Sequence, residues 1–458
     1  MISKLLLGLL LCQPFLAHSE PLNVQEKILP NGLKILIKED HRSPVVVSQV
    51  WYKVGSSYEP NGITGISHML EHMMFKGTDN YPMGEFSRII AENGGSENAF
   101  TSADYTAYFQ TLEKSRLEIS FKLEADRMRY LHLLEAELKK ELEVVTEERR
   151  MRTDDQPRAK MEEQFRAMVF SNSGYKNPVI GWPVDIAAYK VEDLQAWYQR
   201  WYAPNNATLV VVGDVDAQET FALAERYFAP LKPSEIKPLK PQLELEQRGL
   251  RKMTVKLPAK LPYLILGYKV PSLNSIDPAH SNDAYALEVL SGVLDGGNGA
   301  RLNSHLVRGK QIASSITAQY NLQARLSDLF SFEGIPAQSK TVFDLEKALL
   351  AEVKALQTEL ISPEELQRVK AQVLANTVYQ KDSSFYQGML LGVFETVGLG
   401  WQKSDEYVAK VNQVTAEQVR AVARQYLIED HLNVGYLEPQ PMTTQSKPST
   451  LTGGRHAN

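Results

Sequence analysis

The stretch from Gly65 to Gly77 constrains this chain more than any other, because it places His68, Glu71 and His72 at helical spacing. On an α-helix, residues three or four positions apart lie on one face, so both imidazoles and the carboxylate point towards the same spot. Two neutral imidazoles one turn apart can share a Zn²⁺ ion, and a carboxylate beside them can deprotonate a water molecule that the metal activates. The spacing therefore predicts a metal-binding helix.

The alternative is an ordinary solvated helix face with two histidines and a glutamate on it. Against this, the rest of the segment is apolar: Ile66, Met69, Leu70, Met73, Met74 and Phe75. A helix that is apolar nearly all round is buried, and buried ionisable groups require partners or a metal. The order H-x-x-E-H is also the inverse of H-E-x-x-H, in which two histidines hold zinc and the glutamate is a general base. We favour the metal site.

Composition places the chain among ordinary globular proteins. It has 458 residues, of which 43% are hydrophobic and 23% charged, a size that suits roughly two to four domains. The net charge of -5 argues against nucleic-acid binding, for which a basic surface is usual. No apolar run is long enough to predict stable insertion in a membrane.

Residues 1–19 resemble a secretory signal peptide. Lys4 supplies the positive start, Leu5 to Leu11 the apolar core, and Ala17-His18-Ser19 a small-x-small cleavage site. We therefore expect an exported protein, periplasmic or secreted; a buried N-terminal helix is the alternative. The single cysteine, Cys12, falls inside this segment, so the mature chain has no disulfide and must hold a metal with histidines and carboxylates.

The pattern of the whole chain predicts an α+β fold of two homologous domains, each a mostly antiparallel sheet packed against helices. The repeat is visible where a helix and strand at 191–212 are matched by a helix and strand at 415–436. A proline-containing stretch divides the two copies. The predicted organisation is a signal peptide at 1–19, an N-terminal catalytic domain at 20–231, a linker at 232–250, a C-terminal domain without a metal at 251–439 and a flexible tail at 440–458.

Periodicity predicts the individual elements. We expect helices over 84–93, 112–134, 135–151, 158–170, 191–201, 279–294, 301–307, 345–359, 363–379 and 415–426. We expect strands over 24–37 (two strands), 45–54, 96–109 (two strands), 207–213, 261–270, 314–321 and 432–436. The small and polar residues at 96–102 are unsuited to a central strand and predict a sheet edge that can accept another backbone.

A hydrolytic zinc site usually has a third protein ligand. The other histidines are scattered along the chain. The helix at 135–151 offers Glu135, Glu137, Glu141, Glu143, Glu147 and Glu148. Composition does not choose among these glutamates, and the helix could equally be a solvated one with i,i+4 ion pairs. The matching helix of the second half, at 282–290, has no histidine, which leaves one metal per chain.

Three sets of residues together resemble a known family. They are His68-Met-Leu-Glu71-His72 with Glu148 downstream in Val-Val-Thr-Glu-Glu-Arg-Arg-Met, the segment from Gly94 to Tyr108, and the glycine loop from Gly296 to Leu302. The chain is similar to the pitrilysin, insulysin and mitochondrial processing peptidase family of zinc peptidases, in its short two-domain form.

The resemblance implies a role for each site residue. His68, His72 and Glu148 would be zinc ligands, Glu71 the general base and Glu141 an additional glutamate of the site. The substrate backbone would pair with an edge strand that includes Asn98, Ala99, Phe100 and Thr101.

Together with the signal peptide at 1–19, the resemblance implies an exported zinc metalloendopeptidase acting on peptides or unfolded segments. It also implies a clam-shell formed as a homodimer or as a heterodimer with a related non-catalytic subunit. One alternative is a non-catalytic scaffold or peptide-binding subunit; such members usually lose a ligand or the base, whereas all four residues are present here. Another is an enzyme whose activity requires the second subunit.

Overall fold

The computed structural model describes residues 23–240 and 242–442. The predicted signal peptide at 1–19 with Cys12, Pro241 of the predicted linker and residues 443–458 of the predicted tail lie outside the described residues. Within the described ranges, no helix is both long and apolar enough to cross a membrane.

The first half of the chain contains a sheet with the strand order β1-β2-β6-β3-β5-β4. Its strands are β1 (Gln25–Ile28), β2 (Lys34–Glu39), β3 (Val45–Tyr52), β4 (Ser96–Thr101), β5 (Thr106–Glu113) and β6 (Ala207–Gly213). All neighbours are antiparallel except β2 and β6. The valine-rich β3 and β6 are buried almost throughout and therefore occupy the centre. The helices are α1 (Ile66–Met73), α2 (Glu85–Glu92), α3 (Leu117–Tyr130), α4 (Glu135–Arg149), α5 (Pro157–Val169), α6 (Pro183–Ile186), α7 (Val191–Trp201) and α8 (Ala217–Phe228).

The second half contains a sheet with the order β7-β11-β8-β10-β9. Its strands are β7 (Arg251–Pro258), β8 (Tyr263–Val270), β9 (Ala313–Gln319), β10 (Asp328–Pro336) and β11 (Leu432–Gln440). Here β7 and β11 form the parallel pair, and the other neighbours are antiparallel. The helices are α9 (Ser281–Asp295), α10 (Val342–Thr358), α11 (Pro363–Lys381), α12 (Ser384–Thr396), α13 (Lys403–Gln413) and α14 (Ala416–Tyr426).

The two sheets share one topology. Setting β1 aside, β2-β6-β3-β5-β4 has the same order and the same strand directions as β7-β11-β8-β10-β9. The predicted repeat is part of this correspondence, since α7 leads into β6 and α14 leads into β11. The predicted α+β fold of two related domains is confirmed.

One helix of each half packs on the sheet of the other half. α5 contacts β7 and β11, and its Met161 and Phe165 share a buried apolar cluster with Ile265 of β8 and Leu437 of β11. α12 contacts β3 and β6 and covers Trp51. These two helices follow α4 and α11 in chain order, so the same element of the repeat is exchanged in both directions. The exchange joins the domains through apolar cores.

Several predicted elements require correction. The predicted helix at 112–134 is wrong at its start, because β5 continues to Glu113 and α3 begins at Leu117. The segment at 301–307 forms a π-helical turn at Leu302–Gly309 rather than an α-helix. Among the elements that sequence periodicity missed are β7, β10, α8, α12 and α13. For α12 the reason is physical: it is apolar on most of its surface and carries glycines, so it shows no one-sided stripe.

Candidate metal centre

The metal helix predicted from sequence is α1, and its first turn is held from outside the helix. Gly65, at φ 86°, precedes it in a left-handed conformation, and a Cβ there would lie 2.5 Å from the Gly181 Cα. The buried carboxylate of Glu59 accepts hydrogen bonds from the backbone N–H of Gly65 at 2.6 Å and of Ser67 at 2.8 Å. Amide donors that would otherwise be unsatisfied at the helix start are thereby paired.

The side chains of His68 and His72 lie together on one face of α1. Their ring centroids are 4.8 Å apart and the rings are inclined by 70°. The opposite side of the helix is fully buried in the core through Ile66, Met69, Leu70 and Met73. Packing of these residues fixes the rotation of α1 and therefore the direction of the histidines.

Helix α4 brings Glu148 to the two histidines. Glu148 Oε2 lies 3.7 Å from Nε2 of His68 and 3.3 Å from Nε2 of His72, and ligand atoms of the three residues lie within 4.8 Å of one another. This oxygen is buried and has no hydrogen-bond partner among the described residues. Ligands of a tetrahedral zinc at about 2.0–2.1 Å are separated by roughly 3.3–3.4 Å, so these three residues fit such an ion.

Electrostatics at this point favour a cation. Burial would lower the pKa of His72, but the carboxylates of Glu141 and Glu148 raise it to about 9. Burial and the adjacent His72 lower the pKa of His68 to about 4. Burial would raise the pKa of Glu148, but the two imidazoles hold it at about 2. The cluster thus combines a neutral imidazole, an ionised carboxylate and a position where positive charge is stabilised.

Glu71 lies on the same face of α1, next to the cluster. Thr101 Oγ1 donates a hydrogen bond of 2.5 Å to Glu71 Oε2. Burial raises the pKa of Glu71, and the hydrogen bond from Thr101 opposes that shift. A carboxylate with a raised pKa next to a metal site is suited to accept and return a proton.

Glu141 lies on the far side of His72 from Glu148. Its Oε2 is 3.1 Å from His72 Nδ1, and its Oε1 forms an ion pair with Lys76. A carboxylate on the second nitrogen of a metal-ligating histidine orients the ring and fixes its tautomer. The geometry therefore places Glu141 where it can position His72.

The segment Asn98 to Thr101 belongs to β4. In the described part of the chain this strand pairs only with β5, so it is a sheet edge, and it packs beside α1. Its side chains alternate between two environments: Ala99 packs in the core beneath α1, whereas Phe100 packs against Trp51 at 5.6 Å between ring centroids. The backbone of β4 is left available at its outer edge.

Three contacts around the site were missed from sequence. They come from Glu59 beneath α1, Lys76 beside Glu141, and Arg152, whose Nη1 lies 2.7 Å from Glu148 Oε1. Arg152 is four residues beyond Glu148, a spacing that could have indicated an i,i+4 pair. Glu59 has no comparable local signal, because it acts through the fold.

Two family models match the chain. "Insulinase (Peptidase family M16)" matches residues 34–182, and "Peptidase M16 inactive domain" matches residues 189–373. Together they cover more than half of the sequence, so the chain belongs to peptidase family M16. The resemblance inferred from the motifs is confirmed.

Individual relatives agree with this assignment. The zinc protease PqqE of Helicobacter pylori is 34% identical over 360 residues, 78% of this chain and 80% of that protein. The crystal structure of a protease from Helicobacter pylori matches with a TM-score of 0.86 and 31% identity, over 91% of this chain and 99% of that one. The periplasmic protease PqqL from Escherichia coli shares the fold, with a TM-score of 0.76 and 20% identity over 97% of this chain and 52% of that one.

Proposed function

We propose that this chain is an exported zinc metalloendopeptidase, periplasmic or secreted, that hydrolyses peptide bonds in peptides or unfolded segments. The observation that carries the proposal is the meeting of His68, His72 and Glu148, from two separate helices, at one point beside Glu71. These three residues would hold one Zn²⁺ per chain. Bound there, the ion would supply a Lewis acid that polarises the scissile carbonyl and lowers the pKa of a water molecule.

The remaining steps belong to side chains of the protein. Glu71 takes a proton from the attacking water and returns it to the leaving amine, for which its buried, raised-pKa carboxyl is suited. Thr101 holds Glu71 through its hydroxyl, and Glu141 holds the ring of His72. The outer edge of β4, from Asn98 to Thr101, binds an extended peptide by backbone hydrogen bonds, which explains a preference for unfolded substrates.

The test is the variant Glu71→Gln, compared with Glu143→Gln on the exposed side of α4. Zinc content should stay at wild-type level in both variants. Removing the general base should lower kcat roughly 10²- to 10⁴-fold, whereas the Glu143 variant should cleave peptides at the wild-type rate. Unimpaired cleavage by zinc-loaded Glu71→Gln would show that the base is another group.

A non-catalytic scaffold is the second candidate, favoured by the match of the second half to an inactive domain. The presence of the metal-type cluster in the first half argues for catalysis. Metal analysis of the purified mature chain distinguishes them, because a scaffold without zinc would carry no metal at the cluster.

We further propose that the enzyme works as a homodimer or as a heterodimer with a related non-catalytic subunit. Support comes from length: the chain matches about half of Escherichia coli PqqL, at 52% of that chain. Light scattering should give twice the chain mass for a dimer. Equal peptidase rates with and without a co-purified homologue would exclude a required partner subunit.

A further inference from the structure

A buried polar network joins the two domains at Asp104, in the turn between β4 and β5. Asp104 is only 6% exposed. Its Oδ1 accepts a hydrogen bond of 2.9 Å from Ser57 Oγ, and its Oδ2 accepts one of 2.5 Å from the Tyr175 hydroxyl. Both donors belong to the N-terminal domain, and both are neutral.

The positive charge for this carboxylate comes from the other domain. Arg325, in the loop between β9 and β10, donates from Nε to Asp104 Oδ1 at 3.2 Å and from its backbone N–H to Oδ2 at 3.2 Å. Its Nη2 donates to Ser57 Oγ at 2.8 Å, and its guanidinium lies 4.1 Å from the ring centroid of Tyr58. A buried carboxylate requires such a partner, because an unpaired buried charge is strongly unfavourable.

The turn that Arg325 contacts is tightly fitted and adjoins the candidate active site. Backbone hydrogen bonds join Ser56 N to Ser102 O at 3.1 Å and Ser57 N to Ala103 O at 2.8 Å. Thr101, the residue immediately before the turn, is the donor to Glu71. A shift of the turn would therefore move both the end of β4 and the hydroxyl that holds Glu71.

We propose that Arg325 is a positioning residue, through which the C-terminal domain holds β4 and Thr101 in place against Glu71. The C-terminal domain would thus contribute directly to the order of the site in the N-terminal domain. The expected changes in KM and kcat rest on the proposed peptidase function. The expected change in amide hydrogen exchange of β4 does not.

The test uses Arg325→Met in the full mature chain, with Lys34→Met as matched control. Lys34 forms another ion pair between the halves, with Glu395 at 2.7 Å, but lies on β2, which β6, β3 and β5 separate from β4. In Arg325→Met, amide hydrogen exchange at residues 96–103 should accelerate at least about tenfold. With zinc content unchanged, KM for a peptide should rise and kcat should fall, each by roughly tenfold.

The control variant should show neither change, and Arg325→Lys, which retains the charge, should recover part of the loss. A smaller folded fraction alone would lower the rate but leave KM unchanged, so the rise in KM identifies positioning. Wild-type exchange at residues 96–103, or wild-type KM and kcat in an active enzyme, would overturn the inference. If the zinc-loaded wild type cleaves no peptide, the proposed function fails and the exchange measurement alone decides the role of Arg325. Should Arg325→Met not fold, Arg325→Gln takes its place in both measurements.

Discussion

The two domains have the same sheet topology but present different chemistry where their helices meet. In the N-terminal domain, α1 presents His68 and His72 to Glu148 of α4. In the C-terminal domain, the corresponding α9 packs closely on α11: a Cβ on Gly292 would lie 2.7 Å from Val369 Cγ1. One helix pair holds a polar cluster and the other a close apolar contact. The fold therefore sets where the helices lie, and a few side chains decide whether a site exists.

The exchanged helices differ in a complementary way. In α12 a glycine packs against a large side chain of the sheet: a Cβ on Gly392 would lie 2.0 Å from Trp51 Cε2. In α5 the large side chains are on the helix and the glycine is on the sheet: a Cβ on Gly435 would lie 3.0 Å from Met161 Cε and from Phe165 Cδ2. The same interlocking of the domains is achieved with the bulky residue on opposite partners.

The largest expected effect comes from a substitution in the polar cluster that distinguishes the N-terminal domain. Glu148→Gln should lower zinc affinity by more than about 100-fold, because it removes an anionic ligand. Substitution of a residue that only orients a ligand usually lowers metal affinity by less than that. Competition with a chelator measures the affinity. The matched control Glu147→Gln alters the neighbouring residue, which pairs with Arg150 instead, and should bind zinc as the wild type does. Wild-type affinity in the Glu148 variant would exclude it as a ligand.

The next effect tests the two exchanged helices against each other. Gly392→Ala should destabilise the protein by about 3 kcal/mol or more, because the rigid, buried indole of Trp51 cannot move away. Gly435→Ala should cost about 1 kcal/mol, because contacts at 3.0 Å require only small shifts of Met161 and Phe165. Urea unfolding of both variants measures the difference. Equal costs would show that the two contacts are equally adaptable.

A pH-dependent effect concerns the buried carboxyl beneath α1. Burial raises the pKa of Glu59 from an ordinary 4.5 to about 7, despite hydrogen bonds from Ser67 and Gly65. The folded chain therefore keeps this proton where the unfolded chain releases it. The resulting stabilisation is complete below a pH of about 4.5 and is lost as pH rises through about 7. Relative to Glu59→Gln, which does not titrate there, wild-type stability should fall over this window by on the order of 3 kcal/mol.

Unfolding free energies of wild type and Glu59→Gln, measured across that pH window, provide the test. A difference that stays constant with pH would show that Glu59 titrates alike in the folded and unfolded chains.

The smallest effect compares how the two equivalent helices begin. The 3₁₀ turn that leads into α9, Pro278–His280, is capped locally: exposed Asp277 accepts a hydrogen bond of 2.9 Å from the backbone N–H of Ala279. Asp277→Ala should cost about 0.5–1 kcal/mol, as expected for an exposed cap. Glu59→Ala should cost about 1–3 kcal/mol, because it leaves buried amides unpaired. Chemical denaturation at one pH measures the loss of unfolding free energy in each variant. Equal losses would show that the two helix starts are stabilised to the same extent.

Residue spacing alone was enough to predict several local features of this protein. His68, Glu71 and His72 share a helix face because their spacing is three and four residues, and this holds in any fold that keeps the helix. On α4, spacing places Glu141 and Glu148 on one face, but composition gives no preference for either over the other glutamates. The strand-edge character of residues 96–101 was similarly visible, because their small and polar side chains suit an edge.

Which distant groups meet depends on how the helices and sheets pack. Burial of Leu138, Glu141, Val145 and Arg149 fixes the rotation of α4 and so brings Glu148 to α1. Glu59 and Arg325 carry no sequence signal, since their partners are backbone amides and an aspartate reached through loops. The glycines of α12 likewise make sense only against Trp51 of the other domain. Spacing along one helix is a short-range property, whereas contacts between elements depend on how two sheets and two exchanged helices pack together.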